Sequence, residues 1–88
     1  MISRNVTIKN KAGMHTRPAS LLVKLASKYK SDFYIVKDKF QINGKSIIGV
    51  MSLAAECGSE VTLRFDGIDE EKAAEDITKF FEDGFGEI

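Results

Sequence analysis

Val61, Leu63 and Phe65 alternate with Thr62, Arg64 and Asp66. A period of two puts the apolar side chains on one side of an extended segment and the polar ones on the other. Such a strand has one face to bury and one to leave in water, so it belongs to a sheet that is covered on one side only. Val6 and Ile8, alternating with Asn5 and Thr7, repeat the pattern in a first strand over about residues 2 to 8. Phe33 to Val36 and Phe40 to Ile42 are β-favouring runs on either side of Asp38-Lys39, which predicts a hairpin. Asp-Lys is a poorer two-residue turn than Asn-Gly, so the hairpin boundary stays open.

The cover for this sheet lies between the strands, at the helical period. From Thr16 to Lys28 the apolar residues Ala19, Leu22, Val23 and Ala26 form a stripe, with Lys24 and Lys28 outside it. Ser46 precedes the short apolar segment Ile47 to Leu53, and a serine oxygen accepts from an otherwise unpaired N–H at a helix start, so a short helix is predicted there. A last helix follows Asp69, Glu70 and Glu71, whose charges complement its positive end. Ala73, Ala74, Ile77, Phe80 and Phe81 are its buried stripe and Gly84 is its stop. The order is βαββαβα. It implies an α+β open-faced sandwich, an antiparallel sheet with helices on one face. The 88 residues make one domain, 1–88, with one thin core that buries about 60–65% of the unfolded surface. Residues 85 to 88 are expected to fray.

Composition excludes several classes of function. The single Cys57 rules out an internal disulfide, and residues 1 to 20 carry no long apolar run or secretory cleavage pattern, which points to a reducing cytoplasm. No stretch approaches the roughly 18 apolar residues of a membrane span. One histidine and one cysteine do not make a metal cluster, and no cofactor is expected. Net charge is zero, yet residues 1 to 30 hold seven basic residues and no acidic ones, while from residue 56 onward eleven acidic residues stand against Arg64, Lys72 and Lys79. Such polarity suits acidic proteins and phosphate. Nucleic acid is disfavoured, because neither aromatic interleaving nor a recognition-helix pattern is present.

The only histidine sits in Gly13-Met14-His15-Thr16-Arg17-Pro18-Ala19, directly before the first helix. Glycine relaxes the backbone, proline tolerates a first helical turn, and the helix start offers unpaired N–H groups to an anion. A ring nitrogen held there beside Arg17 can act as a nucleophile toward a phosphoryl group. Gly44-Lys45-Ser46 ends like a P-loop, but Lys39 stands where that loop needs its first glycine, which argues against nucleotide binding.

The histidine segment resembles the active-site signature of HPr, the phosphocarrier family of the bacterial phosphoenolpyruvate-dependent sugar phosphotransferase system. The likeness continues through residues 44 to 53 and 57 to 63 and spans the chain. It implies four strands with the two longer helices on one face, and a carrier without enzymatic turnover of its own. His15 would take a phosphoryl group from phosphorylated Enzyme I and pass it to the IIA component of a sugar permease, with Arg17 stabilising the phosphate. Ser46 would be a regulatory phosphorylation site for an HPr kinase/phosphorylase. Thr16, Lys24, Ile47, Ile48 and Met51 would form the partner-docking surface of a monomer. Cys57 departs from the polar residue more usual in the family. The rival reading is a regulatory HPr-like protein whose Ser46-phosphorylated form is a corepressor for a catabolite control transcription factor. A carrier in a nitrogen-related relay is a third.

Overall fold

The period-two segments form a four-stranded antiparallel sheet in a computed structural model, which describes residues 1–87. In chain order the elements are β1 (Ile2–Thr7), α1 (Thr16–Ala26), β2 (Asp32–Lys37), β3 (Phe40–Asn43), α2 (Ile47–Ser52), β4 (Glu60–Asp66) and α3 (Glu70–Glu82), with a short 3₁₀ turn at Gly84–Gly86. The strands lie in the order β1-β4-β2-β3, so the last strand of the sequence is inserted between the first two. This is the open-faced sandwich that the alternation predicts. No helix among the described residues is long and apolar enough to cross a membrane.

Register explains the two faces. Phe33 pairs with Phe65, Ile35 with Leu63 and Val6 with Val61, and all six are buried. The Phe33 and Phe65 rings stack with centroids 5.0 Å apart. Removing side chains of this size from water is worth about 1.5–3 kcal/mol each. The alternate positions form the open face, where Thr62 Oγ1 donates to Asn5 Oδ1 at 2.8 Å and Arg64 donates to Gln41 at 3.1 Å. Gly44 closes over the inner face: its N–H donates to the Phe33 carbonyl at 2.7 Å, and a Cβ there would sit 2.2 Å from the Phe33 ring.

The helices cover only the inner face. α3 packs on β1 and β4 and against α1, while α2 packs on α1 and β3. α1 stops at Ala26 rather than at Lys28, because the chain tightens there: Lys28 N–H donates to Leu25 and Tyr29 N–H to Ala26. β1 ends at Thr7, but Ile8 stays buried and tied, donating to the Ser59 carbonyl and accepting from Gly58 N–H. The hairpin turn is Asp38-Lys39, and Asp38 takes the left-handed conformation (φ 55°) that aspartate tolerates better than most residues.

The tail is where the structure departs from expectation. Residues 85 to 87 do not fray. Gly84 (φ 60°) stops α3, and Phe85 turns back with its ring 2% exposed, edge-on to Phe80 and Phe81 at 5.3 and 4.9 Å. Phe85 itself holds φ 57°, a strained conformation for a bulky residue that costs about 1–3 kcal/mol, and the buried ring offsets it. Ile88, included in the fraying expectation, lies outside the described residues.

Asp69, at the start of α3, latches the loop that enters β2. Its carboxylate accepts from the Lys30 and Ser31 N–H groups, both at 2.9 Å, and from the Ser31 hydroxyl at 2.5 Å. The Ser31 hydroxyl, and then the Lys30 amide, hold this carboxyl down at about 2. A folded pKa below the unfolded one gives stability that is complete above the ordinary aspartate range and is lost as pH falls through the folded value. The urea midpoint of the wild type should therefore drop more steeply between about pH 4 and about pH 2 than that of Asp69→Asn. Equal slopes for the two proteins would show that the latch does not exist in solution.

Candidate functional site

The loop between β1 and α1 is held from both sides before it reaches the histidine. Asn10, 1% exposed, donates from Nδ2 to the Gly13 carbonyl at 2.7 Å, and Gly13 N–H returns a bond to the Asn10 carbonyl at 3.1 Å. Gly13 takes φ 71°, and a Cβ there would meet the Ala55 carbonyl oxygen at 2.6 Å, so conformation and space both require glycine. Met14 is buried and donates from its N–H to Ala55 at 2.8 Å.

His15 is the N-cap residue of α1, in extended conformation (φ −103°, ψ −172°), and its side chain does not cap the helix. Its carbonyl accepts from Ala19 N–H at 3.0 Å, which is where intrahelical bonding begins. Pro18 has no N–H, so the amides of Thr16 and Arg17 are the donors at the head of the helix. The ring is partly exposed beside them, and Arg17 is exposed on the first turn.

The tail completes the site. The Glu87 carboxylate lies against His15 Nε2, with Oε2 at 3.1 Å and Oε1 at 3.3 Å, and Oε1 also accepts from Asn10 Nδ2 at 2.7 Å. The Asn10 amide is the largest influence holding this carboxyl below the usual glutamate range. The His15 bond and the charges of His15 and Arg17 act in the same direction.

The structure thus gathers His15, Thr16 and Arg17 at one helix start, and Lys24 is exposed on the same helix two turns on. Ser46 lies on α2. It is the N-cap there, its Oγ accepting from Gly49 N–H at 3.1 Å, and among the described residues no hydrogen bond links it to His15. α2 buries only Val50, leaving Ile47, Ile48 and Met51 exposed at 38, 80 and 41%, next to α1 with its exposed Leu21. Cys57 is exposed, with its Sγ 3.7 Å from the Lys9 carbonyl. Sequence reasoning missed Asn10 and Glu87. The available signal was Phe85 between Gly84 and Gly86, an aromatic residue in a left-handed turn that needs a buried seat.

A family model described as the PTS HPr component phosphorylation site matches residues 2–83. The phosphocarrier protein HPr of Treponema pallidum is 44% identical over 87 residues, covering 99% of both chains. The HPr-like protein Crh of Bacillus subtilis is 40% identical over 83 residues, covering 94% of this chain and 98% of Crh. A crystal structure of HPr-C-His from Thermoanaerobacter tengcongensis superposes with a TM-score of 0.96 at 43% identity, over 100% of this chain and 99% of that one. Relatives also form dimers: an HPr dimer from the same organism matches with a TM-score of 0.79 at 44% identity, over 99% of this chain and 100% of that one.

Because Gly13 has neither the space nor the conformation for a side chain, Gly13→Ala should lower stability by about 1–3 kcal/mol. The same change should broaden the His15 ring resonances as the loop loses its seat on Ala55. Urea unfolding and NMR check both, and an unchanged midpoint would contradict the close approach.

Proposed function

Since the chain belongs to the HPr family of phosphotransferase-system phosphocarriers, we propose that His15 carries the phosphoryl group, accepting it from phosphorylated Enzyme I and passing it to the IIA component of a sugar permease. The observation that supports this most directly is the N-cap placement of His15. Its ring is left out of helix capping, and the Thr16 and Arg17 amides are available at the head of α1. The task needs a nucleophilic ring nitrogen and a product stabilised enough to exist without being trapped. Two backbone donors and one exposed guanidinium meet that need, through charge-assisted bonds in a site that stays open to the acceptor. The protein works as a stoichiometric carrier in the cytoplasm, with residues 1–88 as one HPr-like unit.

Docking uses the exposed apolar side chains of α2 and the basic residues of α1. Ile47, Ile48 and Met51 give contact area, and Arg17 and Lys24 give attraction for acidic partners. Ser46 is the regulatory site, phosphorylated by an HPr kinase/phosphorylase. A phosphate at this N-cap would meet the free amides of α2, so it is compatible with the fold, while placing about −1.5 to −2 charge beside the docking patch. The likeness to Crh, the catabolite repression HPr of Bacillus subtilis, favours a second role, corepression of a catabolite control transcription factor by the Ser46-phosphorylated form. His15 distinguishes the readings, because a purely regulatory protein does not need it.

Incubation with Enzyme I and phosphoenolpyruvate should add one acid-labile, base-stable phosphoryl group by intact mass, and His15→Ala should abolish it. Arg17→Ala should slow transfer by roughly tenfold, and wild-type transfer should weaken with added salt. Full phosphorylation of His15→Ala would refute the assignment.

Ser46→Asp should remain folded and accept the phosphoryl group from Enzyme I several-fold more slowly than wild type in stopped-time assays. Wild-type speed in a folded variant would remove the inhibitory coupling and leave the N-cap role intact.

A further inference from the structure

Asn10 sits in an arrangement that fold stability alone does not explain. Its side chain is buried at 1% exposure, and among the described residues its Oδ1 has no hydrogen-bond partner. A buried acceptor without a partner is destabilising, and an apolar residue of similar volume would avoid that cost. The other end of the amide is fully used. Nδ2 donates at 2.7 Å to the Gly13 carbonyl and at 2.7 Å to Glu87 Oε1. Reversing the amide would set its oxygen against two acceptors, so the orientation is fixed by its neighbours.

We propose that Asn10 is a positioning residue for the phosphoryl-accepting histidine: by clamping Glu87 to the loop at Gly13, it keeps the Glu87 carboxylate on His15 Nε2 and leaves Nδ1 as the attacking nitrogen. The inference rests on His15 being the acceptor. An ionised carboxylate only accepts, so in the neutral ring the hydrogen stands on Nε2 and the lone pair on Nδ1. In the transfer, the bond from Nδ1 to phosphorus forms. The donor's bond to phosphorus breaks, with its electron pair staying on the donor, and no proton leaves the ring. The positive charge that develops on the imidazole lies against Glu87, as it does for a histidine oriented by a carboxylate in hydrolases. Asn10 touches neither the phosphoryl group nor the ring and acts through Glu87. The clamp also joins two distant parts of the chain, because Phe85 anchors the tail two residues before Glu87 while Gly13 anchors the loop two residues before His15.

Asn10→Leu and Glu87→Ala test this, with ¹⁵N-labelled histidine and long-range ¹H–¹⁵N NMR as the readout that a structural role would not move. In the wild type the neutral His15 ring should be predominantly the Nε2–H tautomer. In both variants the tautomers should mix, and the rate of phosphoryl acceptance from Enzyme I should fall roughly tenfold to a hundredfold. Asn10→Leu should remain folded with a lowered urea midpoint, because the two bonds from Nδ2 to Gly13 and Glu87 are lost while only the unpartnered Oδ1 is relieved. Glu87→Ala, which leaves the buried loop intact, decides the matter if Asn10→Leu fails to fold. An unchanged tautomer and rate in folded variants would overturn the proposal. Failure of the wild type to take up any phosphoryl group would instead overturn the His15 assignment, and the tautomer comparison would still report on the clamp.

Discussion

Phe33 and Phe65 stack across the two central strands, and the rest of the chain is arranged around that pair of rings. The stack joins β2 and β4, the two inner strands of the sheet, on its buried face. A sheet with one covered face has no second layer to compensate for a gap there, so the covering segments must approach closely. Gly44 does so with its backbone, bonded to the Phe33 carbonyl with no room for a side chain. That contact fixes where the chain enters α2 and hence where Ser46 stands. α3 covers the same face from the other end, seating Ala73, Ala74, Ile77 and Phe81, and its exit directs the tail toward the histidine.

What could be read from the residues follows from how local the signals are. Val61, Leu63 and Phe65 declare a one-sided strand because each position reports its own side of the pleat, and Ala19, Leu22 and Ala26 declare a helical stripe for the same reason. The Ser46 cap is equally local, a bond spanning three residues. Strand order is different. That β4 lies between β1 and β2 depends on pairings such as Val6 with Val61, which no short window contains. The tail was misread because its composition, Asp-Gly-Phe-Gly-Glu, is that of a frayed end. Its order comes from Phe80 and Phe81 on one side and from Asn10 and His15 on the other. In the site, His15 and Arg17 were legible as a motif, whereas Asn10 and Glu87, 77 residues apart, meet only in the folded chain.

The site itself balances exposure against order. A histidine that capped its own helix would spend its ring nitrogen on a backbone amide, and one in the core would be out of reach of a partner. The extended N-cap avoids both outcomes, and the loop before it supplies the rigidity that an exposed ring lacks. Charge is distributed to the same end. Lys9, Lys11, Arg17 and Lys24 are exposed on the segment that carries His15, while Glu70, Glu71 and Glu75 lie along α3.

The loop that carries His15 is stitched to the connection between α2 and β4. Met14 donates to Ala55, Gly58 donates to Ile8, and Ile8 donates to Ser59, so three backbone bonds join segments more than forty residues apart in sequence. In hydrogen-exchange terms these amides form one opening unit: none can reach water unless both segments part. A disturbance arriving along α2 therefore has a covalent path of a few residues, from Leu53 through the left-handed Ala54, to the carbonyl on which the histidine loop rests. The Ser46 hydroxyl at the head of α2 and the His15 imidazole at the head of α1 are thus linked through backbone rather than through side chains, and where Gly13 meets Ala55 that link leaves no room for a Cβ.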